Sequence, residues 1–142
     1  MHKPGEIRVL ALGLIRDGDR IFISEGYDPG KQQTFYRVLG GGVDFGETSR
    51  VALQREFKEE IQAELTNIVY LDCIENLFTF NDQPGHEILF IYQCDFVDSK
   101  FYQLQQIDFA EGERKKRALW VEIERFKSGE LRLVPEQFFD YL

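Results

Sequence analysis

The stretch GGGVDFGETSRVALQREFKEEIQAEL, residues 40 to 65, constrains this chain more than any other. Three consecutive glycines let the backbone turn tightly and expose its carbonyls or amides. A helical pattern follows from Thr48 to about Ile61, with Thr48 or Ser49 available as the N-cap. At about 100° per residue, Leu53, Phe57 and Ile61 form one apolar stripe for the core. Glu56 and Glu60 project beside that stripe, Glu59 lies on the far side of Glu56, and Gln54, Lys58 and Gln62 take the wet face. Like charges four apart cost a helix about 0.2–0.5 kcal/mol per pair, and partial desolvation sharpens the repulsion. Two arrangements offset it. The glutamates can pair with Arg55 and Lys58 at helical spacing, or they can hold a hard cation such as Mg²⁺, which prefers carboxylate oxygens. Helix pattern alone leaves the two level.

The flanking sequence is rich in strands. Ile7–Ile15 reads as a buried strand, Asp17-Gly18-Asp19 as a turn and Arg20–Ser24 as a short strand. Tyr27 to Gln33 reads as a loop, and Phe35–Leu39 as a third strand running into Gly40-Gly41-Gly42. Leu65–Phe80 and Glu87–Phe96 carry the β-branched and aromatic residues of strands, separated by a turn at Asn81-Asp82-Gln83-Pro84-Gly85. Phe101–Arg117 is polar and irregular, Ala118–Ile123 is a last strand, and Glu124–Lys127 and Pro135–Leu142 read as short helices. Strands mixed with two or three helices imply one α/β or α+β sandwich, here a single domain over residues 1–142.

Composition narrows the function. With 43% apolar and 30% charged residues, the chain has the balance of a soluble globular protein. Its longest apolar run, VLALGLI, falls far short of the roughly 20 residues that span a membrane, and MHKPGEIR lacks the apolar core of a signal peptide. A cytoplasmic location is expected, with Cys73 and Cys94 as reduced thiols. The net charge of −8, from 25 acidic and 17 basic residues, disfavours nucleic acid and anionic lipid as partners. The one basic cluster, Arg114-Lys115-Lys116-Arg117, reads as a solvated loop, with a phosphate-contacting patch as the alternative. A P-loop in GYDPGKQ fails on glycine spacing and on Gln32 where Ser or Thr is required. No GxSxG or EF-hand loop occurs, and the only histidines are His2 and His86.

Read from Gly41, the stretch is G-x5-E-x7-R-E-U-x-E-E, with Gly41, Glu47, Arg55, Glu56, Phe57, Glu59 and Glu60 in the matching places. It resembles the Nudix box, the signature of Nudix hydrolases. The resemblance implies an α/β fold, the α/β/α sandwich with a mixed β-sheet, which the strand order and the Trp120-Val121 pair suit. It also implies divalent-metal-dependent hydrolysis of a phosphoanhydride in a nucleoside diphosphate linked to another group, with Mg²⁺ or Mn²⁺ as cofactor. The alternative is a Nudix-fold module that binds a nucleotide without cleaving it. One departure stands out: the family pattern closes with Gly and an apolar residue, and here those places hold Gln62 and Ala63. A left-handed Gln62 would cost about 1 kcal/mol or more, so a longer or differently closed helix end is expected.

By the same resemblance, Glu56 and Glu60 are the direct metal ligands, Glu59 binds directly or through water, and the Gly40 carbonyl is an extra ligand. Arg55 orients the glutamates and Glu47 fixes the loop against the helix. The base is a box glutamate, Glu59 or Glu56, or an acid in a loop before the final strand, where Glu111 and Glu113 stand. Glu87 points into the site if its strand lies beside the helix, and His86 is a turn residue. Arg37 is placed to touch a phosphate, and Phe35, Tyr36, Phe78 and Phe80 are candidates to stack on a base. The partner expected is a small nucleotide, and a homodimer stays open.

Overall fold

The computed structural model describes residues 5–142; His2 and the start of the MHKPGEIR segment lie outside them. Two sheets carry the chain. In the first, β5 (Gly40–Gly42), β1 (Ile7–Leu14), β7 (Gln83–Phe96) and β6 (Leu65–Phe80) lie in that order, with β1 parallel to β7 and the other pairs antiparallel. In the second, β3 (Arg20–Asp28) pairs with β2 (Arg16–Asp17), β4 (Gln33–Val38) and β9 (Arg114–Glu122), and β8 (Gln106–Glu111) adds to β9.

Side-chain alternation along β1 divides the core in two, because successive residues of a strand face opposite ways. Leu10, Leu12 and Leu14 pack with Ile21, Ile23, Leu89, Ile91 and the C-terminal Phe126 and Phe138. Ala11 and Ile15 pack on the other side with Leu53, Phe57 and Ile61 of α1 (Ser49–Ile61) and with Trp120. Helices therefore cover both faces: α1 on one, and α3 (Ile123–Lys127) with the 3₁₀ turn Glu136–Tyr141 on the other. A short α2 (Lys100–Gln103) packs Phe101 against Phe96 at 4.6 Å. This is the mixed α/β sandwich expected.

Several boundaries differ from the sequence reading. β3 runs on through Tyr27 and Asp28, so the loop shrinks, and β7 begins at Gln83. His86 consequently sits in a strand, opposite Ile7 and Leu77, rather than in a turn. The turn itself is Asn81-Asp82, both at positive φ (50° and 62°), as a two-residue hairpin connection requires. The segment read as irregular, Phe101–Arg117, folds into α2 and the hairpin β8–β9, so Arg114-Lys115-Lys116-Arg117 is a strand and not a loop. Ile107 and Phe109 alternate inward from β8, and cross-strand pairing supplies the order that polar composition hides. The C-terminal helix is a 3₁₀ turn beginning after Pro135.

The end of α1 also overturns its expectation. The helix stops at Ile61, and Gln62 takes the left-handed conformation at φ 53°, ψ 38°. Its amide donates to Lys58 O at 3.1 Å and that of Ala63 to Phe57 O at 3.2 Å. The Phe57–Ala63 closure and the burial of Ala63, 1% exposed, hold a non-glycine residue where the family pattern has glycine. Cys73 and Cys94 are both free thiols, the first exposed and the second buried. No helix among the described residues is long and apolar enough to cross a membrane.

Candidate active site

Thr48 caps α1, its Oγ1 accepting from the Val51 amide at 3.2 Å, and so fixes where the helix starts. Arg55 then organises the site. It donates to Glu47 (Nη2 to Oε1, 2.6 Å; Nε to Oε2, 3.0 Å), to the Gly42 carbonyl at 2.9 Å, to Glu56 Oε1 at 3.0 Å and to Glu59 Oε2 at 3.3 Å. Glu47 also accepts from the Asp44 amide at 2.8 Å, so one carboxylate ties the loop to the helix. The hydrogen bonds from Arg55 and Asp44 hold the Glu47 carboxyl below the usual carboxylate range. Pairing with Glu47 in turn raises the Arg55 guanidinium.

The surface-helix arrangement is therefore half right. Arg55 pairs with Glu56 and Glu59, but Lys58 reaches past both to Glu64 at 3.1 Å. Neither cation reaches Glu60. Its Oε1 is buried without a hydrogen-bond partner. Burial first, then the charges of Glu111 and Glu56, push the Glu60 carboxyl up to about 8.

Glu60 lines a small cavity of about 70 Å³ with Gly40, Gly41, Arg8, Arg37, Glu111 and Lys116. Gly41 leaves room for the Glu56 carboxyl group, which a Cβ there would overlap and displace. Glu111, at the end of β8, is the sequence-predicted loop acid that the fold brings in. Burial alone would raise its carboxyl, but Lys116 at 3.4 Å, with Arg8 and Arg114, outweighs burial and holds it below the ordinary range. Glu113 lies exposed at the hairpin turn beside Gly112 and lines neither this cavity nor the groove that adjoins it. Glu59 stays on the outer side of α1, its side chain 62% exposed.

The adjoining groove holds about 680 Å³. Phe35 and Phe80 form part of its wall, edge to face with centroids 6.1 Å apart, and Phe78 and Tyr27 add to it. Tyr36 does not: it is buried in the core against Phe126. Arg37 and Glu87 line the groove as a pair, with Arg37 Nη2 2.7 Å from Glu87 Oε1, and Asn76 donating to the same oxygen at 3.3 Å. Glu87 is only 2% exposed, so this pair forms a fixed, neutralised floor.

Sequence reasoning missed Arg8, Lys116 and Asp28. Arg8 and Lys116 share the lining of both cavities, a placement that only strand register could have revealed. Asp28 Oδ1 accepts from the amides of Gly30 (3.0 Å), Lys31 (3.3 Å) and Asn81 (2.9 Å), and Lys31 Nζ donates to Thr79 O at 3.0 Å. These bonds clasp the β3–β4 turn to the β6–β7 turn and so set the aromatic wall.

The donor set around Glu60 is all oxygen, carboxylates with nearby backbone carbonyls, which suits a hard divalent cation. The orphaned Glu60 Oε1 is an oxygen that such an ion would satisfy. Among the described residues no three His, Cys, Asp or Glu side chains converge as a finished metal cage, and Arg55 holds Glu56 and Glu59.

A NUDIX-domain family model matches residues 6–142. No curated protein matches the chain. Similar solved structures include a MutT protein from Bacillus halodurans, with TM-score 0.64 at 12% identity over 95% of this chain and 80% of that one. A NUDIX hydrolase from Nitrosomonas europaea gives 0.62 at 18% over 95% and 85%. A MutT NUDIX hydrolase from Burkholderia pseudomallei gives 0.61 at 20% over 84% and 85%. At such identities the likeness concerns the fold.

Proposed function

The chain belongs to the Nudix hydrolase family, whose members act on pyrophosphate-containing compounds, and on that premise we propose that it cleaves a phosphoanhydride in a nucleoside diphosphate derivative with Mg²⁺ or Mn²⁺. The observation that carries this reading is the buried Glu60 carboxyl group beside Gly40 and Gly41, its Oε1 without a partner and Glu56 and Glu111 as its acidic neighbours. A carboxylate desolvated in this way is costly unless something cationic answers it.

Glu60 and Glu56, with Glu59 and the Gly40 carbonyl, would hold the cation. When bound, it supplies Lewis-acid polarisation of phosphoryl oxygens and lowers the pKa of water. Arg55 holds Glu56 and Glu59 in register, acting through them rather than on substrate. Glu111, kept ionised by Lys116, accepts a proton from the attacking water. The water oxygen bonds to phosphorus, the bridging P–O bond breaks, and its electron pair leaves with the departing phosphate. Phe35 and Phe80 offer faces for a base, where stacking is worth about 1–3 kcal/mol.

Product formation should be measured on ADP-ribose, nucleotide sugars, dinucleoside polyphosphates, NADH and nucleoside triphosphates, with Mg²⁺, with Mn²⁺ and with chelator. Metal-dependent cleavage of one class, abolished in Glu56→Gln, is the expected result. Folded protein that binds a nucleotide and releases no product across the panel would replace the enzyme by a binding module.

A further inference from the structure

Most guanidinium groups in this chain are answered by the chain itself. Of the ten arginines in the sequence, Arg20, Arg37, Arg55, Arg117 and Arg125 have carboxylate partners, and Arg16 and Arg50 donate to backbone carbonyls. The side chains of Arg8, Arg114 and Arg132 make no hydrogen bond or salt bridge among the described residues, Arg8 and Arg114 acting on Glu111 through their charge alone, and all three line the 680 Å³ groove. They come from the start of β1, the β8–β9 hairpin and the segment after α3, so the fold gathers them and no sequence run does. In a chain of net charge −8 that is a selective placement of cations held by no salt bridge.

Their positions have a direction. Arg8 lines both the small cavity at Glu60 and the groove, whereas Arg114 and Arg132 line the groove alone. Guanidinium charge without a salt-bridge partner therefore starts at the proposed cleavage site, where Glu111 lies near it, and continues away from it. At about 70 Å³ the small cavity cannot hold a nucleotide, so the bulk of any substrate lies in the groove. Guanidinium forks match phosphate oxygens in geometry and stay charged at any physiological pH.

We propose that the groove binds an oligophosphate chain. The preferred substrate carries at least one phosphate beyond the two joined by the scissile anhydride, as in a nucleoside triphosphate or a dinucleoside polyphosphate. ADP-ribose and nucleotide sugars place a neutral group there and leave the arginines unanswered. This assignment rests on the hydrolase reading of the same site and narrows its substrate.

Calorimetric titration of the full chain with inorganic tripolyphosphate and with pyrophosphate, in chelator, tests the groove without turnover. Tripolyphosphate should bind at least about tenfold tighter, a difference of about 1.4 kcal/mol. The double variant Arg114→Gln/Arg132→Gln should lose that preference, while Arg16→Gln/Arg125→Gln, which removes the same charge elsewhere, should keep it. No binding, equal binding of the two anions, or equal loss in both variants would overturn the proposal. Turnover separates it from the premise. A higher kcat/KM on ADP-ribose than on ATP and dinucleoside polyphosphates sinks the oligophosphate preference and leaves the hydrolase standing. Tight tripolyphosphate binding with no turnover of any substrate sinks the hydrolase and leaves the groove assignment standing.

Discussion

Gly41 and Glu56 occupy adjoining space so closely that a Cβ on the glycine would lie 2.7 Å from Glu56 Oε1 and overlap its carboxyl carbon. The obstacle is the end of a flexible side chain, so Gly41→Ala should fold and displace the carboxylate. Gly40 next to it differs. Its φ is 155°, and its Cβ would overlap the Ala11 carbonyl oxygen and stand 2.8 Å from Leu12 Cα, backbone atoms that cannot step aside. Gly41→Ala should stay within about 1 kcal/mol of the wild type in stability and lose about tenfold or more in kcat/KM. Gly40→Ala should lose about 3 kcal/mol. Denaturant unfolding and turnover on the same preparations check both, and a Gly41→Ala enzyme with full activity would show that the position of Glu56 is not needed.

Glu60 carries a buried oxygen that the protein leaves unsatisfied, a state that costs about 1–3 kcal/mol. At pH 9, above the value of about 8 to which its carboxyl is pushed, Glu60→Gln removes the charge and gives the neighbouring carboxylates an amide donor. In chelator the variant should be more stable than the wild type by a similar amount. Added Mg²⁺ should raise the Tm of the wild type by mass action and leave the variant unmoved, while kcat falls by orders of magnitude. Melting curves with and without Mg²⁺ decide the matter: equal stabilisation of both proteins would remove Glu60 from the ligand set.

The helix that carries these glutamates was legible because its signal is local. Leu53, Phe57 and Ile61 recur at helical spacing and all three are buried, which puts Glu56 and Glu60 at the edge of the core. The β8–β9 hairpin was hidden because EGERKKR has the composition of a solvated loop, and pairing of Arg114–Lys116 with β8, continued by β3 from Arg117, makes it a strand. With that strand lost from view, Lys116 could not be placed over Glu111, nor could the two loop acids be told apart. Arg8 and Asp28 depend on chain segments far away in sequence. Asp28 is bonded to Asn81 across 53 residues, and no periodicity encodes such a contact.

Asp28 gives the clasp a pH dependence. Burial alone would raise its carboxyl, but the amides of Asn81, Lys31 and Gly30 and the Lys31 charge outweigh burial and hold it below its ordinary 3.8. A depressed folded value means the unfolded chain binds the proton first. The stabilisation is therefore complete above pH 3.8 and is lost as pH falls through the lower folded value. The Tm of the wild type should exceed that of Asp28→Asn at pH 7, and the gap should close in strong acid. A gap that is constant from pH 7 to pH 2 would mean that the carboxylate charge contributes nothing to the clasp. Because the clasp sets the wall of Phe35 and Phe80, the variant should also raise KM more than it lowers kcat.

Gln62 offers the opposite test, a place where the chain carries a cost it could shed. Its left-handed φ of 53° strains a residue with a Cβ, and the side chain recovers only an exposed hydrogen bond to Glu59 O at 3.2 Å. The Ala63-to-Phe57 closure belongs to the backbone and survives substitution. Gln62→Gly should therefore stabilise the protein by about 0.5–1 kcal/mol, with kcat and KM unchanged because the backbone closure that holds the last turn, and Glu60 in it, is kept. Chemical denaturation of the two proteins side by side measures it. Destabilisation would mean that the glutamine side chain contributes more to the helix end than the geometry accounts for.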